Sequence, residues 1–313
     1  MSKIAFLFPG QGSQNVGMGR ELASAFPLAR QTFQEANEAL GFDITDLCFN
    51  GPAEQLSLTE FTQPAIFTVS VALLRVLTEA GITADYVAGH SLGEYSANVA
   101  AGVIEFAAAA RTVRQRGQLM QQAVPAGEGA MAAILGLRSD LVTVICGDAT
   151  REAGAPVEPA NLNSPEQIVI SGAAAAVERA AALAKERGAK RTVMLPVSAP
   201  FHCSLMQPAQ EALAPILHEM RFANAKIPVV VNVDATLITE GAALRDALIR
   251  QVTGAVRWTE SIQLLIAQGV TTFLEVGPGK VLSGLMRQID RSQKCMQIED
   301  AAGFEKLLPA LKA

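Results

Sequence analysis

A serine stands in this sequence with the spacing of a catalytic nucleophile. Residues 89–93 read Gly-His-Ser-Leu-Gly and fit the pattern G-x-S-x-G. The apolar run at 86–89 predicts a strand, and residues 91–101 predict a helix that starts directly after it. A sharp turn between the two would expose the hydroxyl of Ser91 and aim free N–H groups of the helix start at a developing oxyanion. The pattern alone is weak, so a tight turn that only serves packing is the alternative.

Three histidines are available as the base that a serine nucleophile needs within hydrogen-bond reach. His90 adjoins the serine but points off the strand end, and His218 lies in a polar helical stretch that favours a surface position. His202 lies where the chain is expected to re-enter the main domain and line a cleft. We therefore expect His202 to be the base, with a buried, hydrogen-bonded histidine as the alternative. No aspartate stands out as its orienting partner.

Three arginines occur within six residues, at positions 111, 114 and 116. Such a cluster usually forms a solvated helix face. One member turned inward would instead offer a planar fork that binds a carboxylate through two hydrogen bonds. Arg114 and Arg116 lie two residues apart, so they cannot share a helix face.

The order of predicted elements indicates two structural units. Strands at 4–8, 86–89, 228–233 and 271–276 alternate with helices at 19–40, 63–80, 91–101, 242–252 and 259–268, which is typical of a parallel sheet covered on both faces. Between them, strands at 130–135, 157–161, 167–171 and 191–197 and helices at 139–153 and 173–187 follow the order β-α-β-β-α-β of a ferredoxin-like unit, with residues 163–165 as a hairpin linker.

These elements predict an α/β fold with an α/β-hydrolase-like core and a mostly parallel sheet. The core would be discontinuous, formed by residues 1–127 and 198–313, and the inserted ferredoxin-like small subdomain would be residues 128–197. A small ligand is expected in the cleft between the two units.

Composition excludes several classes of protein. Half of the 313 residues are apolar and 18% are charged, which suits a large buried core. A net charge of −5 and 5% aromatic residues argue against nucleic acid and anionic membranes as partners. Four widely spaced cysteines and three histidines make a metal site improbable, and we expect buried free thiols. The first residues do not resemble a signal peptide, so a cytoplasmic protein is expected.

Seven short segments together carry a family resemblance. In chain order they are FPGQGSQ at 8–14, TQPA at 62–65, GHSLGEYSA at 89–97, RQRG at 114–117, NLNSP at 161–165, FH at 201–202 and EVGPG at 275–279. The chain resembles the malonyl-CoA:acyl carrier protein transacylases of fatty acid synthesis. The resemblance covers nearly the whole length.

The resemblance implies a role for each of five site residues. Ser91 would be the acylated nucleophile and His202 the general base and acid. Arg116 would bind the malonyl carboxylate through two hydrogen bonds. The backbone N–H groups of Gln11 and Leu92 would form the oxyanion hole.

The resemblance also implies supporting residues. The backbone carbonyl of Gln251 would orient the catalytic histidine, which accounts for the missing aspartate. Relatives differ in the residue just before that histidine, and the bulky Phe201 should favour malonyl over methylmalonyl by leaving little room for an α-methyl group. The remaining expected residues of the site are Gln63, His90, Asn161 and Asn163.

The resemblance implies a ping-pong transfer of malonyl from malonyl-CoA to the phosphopantetheine thiol of acyl carrier protein. The coenzyme A thioester would be a substrate, with no permanently bound cofactor. The alternatives are a serine esterase or thioesterase, which would need an aspartate behind its histidine, and a non-catalytic module that docks carrier proteins. Because carrier proteins are acidic, docking needs a local basic patch. The candidates, which could equally be a solubilising face, are Lys185, Arg187, Lys190 and Arg191.

Overall fold

A computed structural model describes residues 3–197 and 199–312 and shows a mixed α/β fold with two sheets. The larger sheet has six strands in the order β10-β9-β1-β2-β7-β8. They are β1 Lys3–Phe8, β2 Tyr86–Gly89, β7 Val229–Val231, β8 Thr236–Ile238, β9 Val270–Val276 and β10 Lys294–Ile298. All pairings are parallel except that of β7 with the edge strand β8, so the sheet is mostly parallel, as predicted.

Helices pack against both faces of this sheet. Alternate residues of β1 point to opposite faces, so each face contributes to its own apolar cluster. Phe6 and Phe8 pack into one apolar cluster, and Ala5 and Leu7 pack into another. The helices are α1 Arg20–Ala25, α2 Pro27–Leu40, α3 Ile44–Asn50, α4 Ala53–Leu56, α5 Thr59–Glu79, α6 Gly93–Ala100, α7 Phe106–Gln122, α10 Gln207–Glu219, α11 Gly241–Arg250, α12 Trp258–Ala267, α13 Val281–Ile289 and α14 Ala301–Lys312. A short 3₁₀ turn at Ser204–Met206 precedes α10.

The smaller sheet is antiparallel and has the order β4-β5-β3-β6. Its strands are β3 Gly129–Leu135, β4 Val157–Ser164, β5 Gln167–Ala173 and β6 Arg191–Met194. The helices α8 Ser139–Ala153 and α9 Ala174–Glu186 share an apolar cluster of their own with this sheet. The chain order β-α-β-β-α-β agrees with the prediction.

Strand β4 attaches the smaller sheet to the rest of the molecule. The N–H of Leu162 donates to the carbonyl of Val256 at 2.9 Å, and the N–H of Val256 donates to the carbonyl of Ala160 at 2.8 Å. The hydroxyl of Thr259 also donates to the carbonyl of Leu162. These bonds fix β4, which carries two of the expected site residues, against the loop that follows α11.

Several predicted boundaries are wrong for local reasons. The helix expected at 19–40 is interrupted at Phe26, whose extended backbone (φ −119°, ψ 117°) precedes Pro27 at the start of α2. The strand expected at 191–197 ends at Met194. Strand β4 continues through Ser164, so the hairpin turn falls at residues 165–166. The edge strands β8 and β10 were not predicted.

Helix α5 is long and apolar enough to cross a membrane, judged by length and composition alone. However, 83% of its most apolar 18-residue stretch is buried inside the molecule. Helix α5 therefore lies in the interior of the protein.

Candidate active site

Ser91 occupies a strained turn between β2 and α6. Its φ is +52°, a left-handed conformation that a non-glycine residue adopts only when its surroundings hold it there. Gly89 and Gly93 make the turn possible, because a Cβ on Gly89 would overlap the carbonyl of Gly93, and a Cβ on Gly93 would overlap the carbonyl of Phe8. Helix α6 therefore begins at Gly93, two residues later than predicted, and the serine lies outside it.

The hydroxyl of Ser91 contacts the imidazole of His202. Ser91 Oγ lies 2.7 Å from His202 Nε2, and His202 Nδ1 lies 2.9 Å from the backbone carbonyl of Gln251. Because a carbonyl can only accept, Nδ1 carries the proton, and Nε2 is left to accept the serine proton. Burial, together with the nearby charge of Arg116, lowers the pKa of His202 to about 3. The imidazole is therefore a neutral base near pH 7.

The pKa of His202 leads to a first testable prediction. We expect ¹⁵N NMR to show a neutral Nδ1–H imidazole at this residue throughout pH 5–8. A titration midpoint near the ordinary value of 6.5 would contradict the depressed pKa. Below pH 6.5 the unfolded chain binds a proton here that the folded chain does not bind until about pH 3, so the contribution of this residue to the free energy of unfolding declines as the pH falls through that interval.

Arg116, on α7, extends its guanidinium to the same serine. The side chain is 1% exposed, and its Nη2 donates to Ser91 Oγ at 3.1 Å and to Gln251 Oε1 at 2.9 Å. Its Nη1 donates to Gln63 Oε1 at 2.8 Å. All three acceptors are neutral, and burial lowers the pKa of Arg116. Among the residues that the structure describes, no carboxylate forms a salt bridge with this guanidinium.

The other arginines of the cluster face away from the serine. Arg111 is exposed, and Arg114 donates to the carbonyl of Leu40 and lies over the ring of Phe42, 4.6 Å from its centroid. His218 is exposed on α10, as predicted. Of the three clustered arginines, Arg116 therefore alone reaches the serine.

A cavity of about 120 Å³ opens at the Ser91 hydroxyl. Nine of the expected site residues line it, namely Gln11, Gln63, His90, Ser91, Leu92, Arg116, Asn161, Phe201 and His202. Four apolar residues that were not predicted complete the wall, namely Met120, Met131, Leu195 and Val197. Gln251 and Asn163 do not line the cavity but contact residues that do.

Two backbone N–H groups near the serine are free to bind an anion. Leu92 directly precedes the first residue of α6, and Gln11 lies in the turn after β1. Within residues 3–197 and 199–312, no acceptor bonds the N–H of either residue. A helix start adds its positive dipole end to such groups, so a developing oxyanion could be bound here.

His90 connects the serine turn to the smaller sheet. Its Nε2 lies 2.8 Å from Asn163 Oδ1, and its ring packs against Trp258 with 5.4 Å between centroids. Because Oδ1 is an acceptor, Nε2 carries the proton, and burial lowers the pKa of His90. His90 makes no hydrogen bond to Ser91 Oγ, consistent with its rejection as the base.

Sequence reasoning missed two buried polar residues. Asn232 Oδ1 accepts from the N–H of Ser91 at 2.7 Å, and its Nδ2 donates to the carbonyl of Gly89 at 2.7 Å. Glu94 Oε2 accepts from the backbone N–H of Asn232 and from Gln251 Nε2, and burial raises the pKa of Glu94 to about 7. Asn232 directly follows strand β7, and the polar groups of a site often converge at the ends of neighbouring parallel strands. This rule could have identified Asn232 from the sequence.

The described part of the chain holds no group of three His, Cys, Asp or Glu side chains that could bind a metal ion. The cysteine thiols are unpaired, and Cys48, Cys146 and Cys203 are buried while Cys295 is half-buried. The chemistry available in the cavity is therefore that of a hydroxyl, a neutral imidazole, a guanidinium and two free N–H groups.

Comparison with known proteins defines the class. The family model described as acyl transferase domain matches residues 5–309, so the chain belongs to the acyl transferase family. The malonyl CoA-acyl carrier protein transacylase of Bacillus subtilis (strain 168) is 52% identical over 312 residues, which are 100% of this chain and 98% of that protein.

Solved structures agree with this assignment. The acyl carrier protein S-malonyltransferase from Vibrio cholerae has a TM-score of 0.95 and 50% identity, with 98% of this chain and 100% of that chain covered. A malonyl-transacylase solved in complex with a type II PKS acyl-carrier protein has a TM-score of 0.96 and 47% identity, with coverage of 99% and 100%.

Proposed function

We propose that this chain transfers a malonyl group from malonyl-CoA to the phosphopantetheine thiol of acyl carrier protein in fatty acid biosynthesis, by a ping-pong mechanism through a malonyl-serine intermediate. The observation that carries the proposal is the position of Ser91 Oγ, 2.7 Å from His202 Nε2 and 3.1 Å from Arg116 Nη2. A nucleophile, its base and a carboxylate-binding group thus share one cleft. The names of the relatives support the same substrates.

In the first half-reaction, Ser91 Oγ attacks the thioester carbonyl while His202 Nε2 takes the hydroxyl proton. The N–H groups of Gln11 and Leu92 would bind the oxyanion of the tetrahedral intermediate. The C–S bond then breaks, and the imidazolium gives its proton to the departing coenzyme A thiolate, which leaves as the thiol. The carbonyl of Gln251 stabilises the imidazolium by accepting from Nδ1–H.

In the second half-reaction, the carrier's thiol replaces coenzyme A. His202 Nε2 removes the thiol proton as the sulfur attacks the malonyl-serine ester, and the same proton then returns to Ser91 Oγ when the ester bond breaks. The malonyl thioester formed on the carrier has nearly the same free energy as the malonyl-CoA thioester that was consumed. A cleft with apolar walls of Met120, Met131 and Phe201 disfavours water as the competing acceptor.

Arg116 is the group that distinguishes malonyl from acetyl. Its Nη2 donates to Ser91 Oγ and to Gln251 Oε1, and both acceptors are neutral. A malonyl carboxylate would replace neutral acceptors with a bidentate ion pair in a buried site. An acetyl group would leave the guanidinium without a carboxylate, so the binding energy is specific for a diacid.

The selectivity at the α-carbon gives a second prediction. Phe201 lines the cavity and is 8% exposed. We expect wild type to prefer malonyl-CoA over methylmalonyl-CoA by about tenfold or more in kcat/KM, since a methyl group that does not fit costs about 1–3 kcal/mol. Phe201→Ala should reduce this ratio. Equal rates with both thioesters in wild type would contradict the role of Phe201.

One assay separates transfer from hydrolysis. With malonyl-CoA alone, we expect release of about one equivalent of coenzyme A and then a stop; with holo-carrier protein present, release should continue. A serine esterase would instead turn over malonyl-CoA in water without the carrier. The acceptor of His202 Nδ1–H is the Gln251 carbonyl rather than the aspartate that the esterase alternative requires.

We further propose that the chain is cytoplasmic, holds no permanent cofactor, and has an α/β-hydrolase-like core of residues 1–127 and 198–313 with a ferredoxin-like subdomain of residues 128–197. The carrier's docking surface stays a prediction. In the basic patch, Arg187 pairs with Asp148 and Lys190 pairs with Glu166, which reduces the free positive charge there.

A further inference from the structure

Both backbone groups of Ser91 are held by side chains from other elements. The N–H donates to Asn232 Oδ1 at 2.7 Å, and the carbonyl accepts from Gln251 Nε2 at 3.0 Å. These contacts span 141 and 160 residues of sequence. A positive φ at a serine persists only where the surroundings over-determine it, and these two side chains hold the residue from both sides.

The amide of Asn232 is suited to this position because it is both donor and acceptor. Its Oδ1 accepts from Ser91 and its Nδ2 donates to the carbonyl of Gly89, so it bridges the end of β2 to the strained residue. A carboxylate of the same shape could only accept, and it would repel the Gly89 carbonyl. Asn232 is 1% exposed, so water cannot replace either bond.

Glu94 ties the two holding residues together. It is fully buried on α6, and its Oε2 accepts from the N–H of Asn232 at 2.8 Å and from Gln251 Nε2 at 2.9 Å. Because the carboxyl oxygen accepts from that amide nitrogen, Gln251 Oε1 is left to face Arg116. The backbone of the same Gln251 orients His202.

We propose that Asn232 and Glu94 are positioning residues of the acyl transfer reaction, which hold the strained backbone of Ser91 so that its hydroxyl stays within reach of His202. Neither residue lines the cavity, so they act through Ser91 and Gln251 rather than on the substrate. The inference deepens the proposed function and rests on it for the identity of the substrate. The reactivity of Ser91 can be measured without that substrate.

The test compares the variants Asn232→Asp and Glu94→Leu with wild type in two assays. One is the labelling rate with a fluorophosphonate probe, which reacts with activated serines, and the other is steady-state malonyl transfer. We expect labelling and kcat to fall about tenfold or more, because Asn232→Asp loses the donor to the Gly89 carbonyl and Glu94→Leu loses both bonds that Oε2 accepts. KM for malonyl-CoA should change less than about threefold. Glu94→Gln keeps an oxygen that can accept both bonds and should recover most of the activity.

Glu275→Leu is the matched control. Glu275 is also a fully buried carboxylate that accepts from two backbone N–H groups, those of Leu282 and Ser283, but it lies outside the cavity. We expect this variant to have a lower Tm than wild type. Its labelling rate and its kcat, both taken per folded molecule, should stay within twofold of wild type. All assays are run below the lowest Tm of the set.

The proposal is overturned if folded Asn232→Asp and Glu94→Leu label at the wild-type rate, or if Glu275→Leu slows labelling as much as they do. If Glu94→Leu does not fold, Asn232→Asp alone decides the outcome, because it preserves shape. Failure of wild type to transfer malonyl while Ser91 still reacts with the probe would count against the proposed function and leave the positioning roles standing.

Discussion

Replacement of Ser91 by alanine is expected to abolish the covalent malonyl-enzyme. Incubation of wild type with malonyl-CoA should add the mass of one malonyl group to the intact protein, and Ser91→Ala should show no addition. Transfer to the carrier should fall by at least about 10⁴-fold, since loss of a nucleophile removes the covalent pathway itself. Intact-protein mass spectrometry and a transfer assay on the same samples provide the two readouts.

A thiol that could rival Ser91 as the acceptor of the malonyl group is that of Cys203. It adjoins His202 in sequence, but it donates to the carbonyl of Pro200, and burial raises its pKa to about 11. A thiol that stays protonated is a poor nucleophile. Cys203→Ala should therefore retain the added mass. Retention of the malonyl group by Ser91→Ala would refute the assignment of the nucleophile.

Replacement of Arg116 by alanine is expected to remove the preference for malonyl while some acetyl transfer is kept. A buried guanidinium that finds no carboxylate carries a cost of about 3–5 kcal/mol. At about 1.4 kcal/mol per tenfold, that cost corresponds to a selectivity of roughly 10²- to 4 × 10³-fold. The measurement is the ratio of kcat/KM for malonyl-CoA and acetyl-CoA, which should approach one in the variant because malonyl loses its partner and acetyl does not.

Arg114→Ala is the matched control for this prediction. Arg114 lies on the same helix, but it contacts Leu40 and Phe42 rather than the serine. It should leave the malonyl-to-acetyl ratio unchanged even if stability decreases. If Arg116→Ala lost both activities in parallel with its Tm and kept the wild-type ratio, the carboxylate-binding role would be wrong.

Local sequence pattern was sufficient for the serine turn. The strand at 86–89 is observed with the predicted bounds, and the two glycines flanking Ser91 are where close backbone contacts require them. The positive φ of Ser91 was not predictable from helix periodicity, so the start of α6 was placed two residues too early. Strain of this kind depends on contacts made by distant residues.

The partners of Ser91 depend on the order of strands rather than on local pattern. Asn232 reaches the serine because β7 lies beside β2 in the sheet, although the two strands are far apart in sequence. Gln251 and Arg116 were placed in the site by the family resemblance, since spacing alone left the arginine cluster as a possible solvated face. Glu94 was within a quoted motif, yet its burial gave no sequence signal.

The most direct measurement of the central claim is a chase of the isolated malonyl-enzyme. Wild type loaded with labelled malonyl-CoA and freed of coenzyme A should carry label on a peptide containing Ser91. Addition of holo-carrier protein should move that label to the carrier's thiol at a rate no slower than kcat. Label that stays on the protein, appears as free malonate, or moves more slowly than turnover would contradict the malonyl-serine as the intermediate.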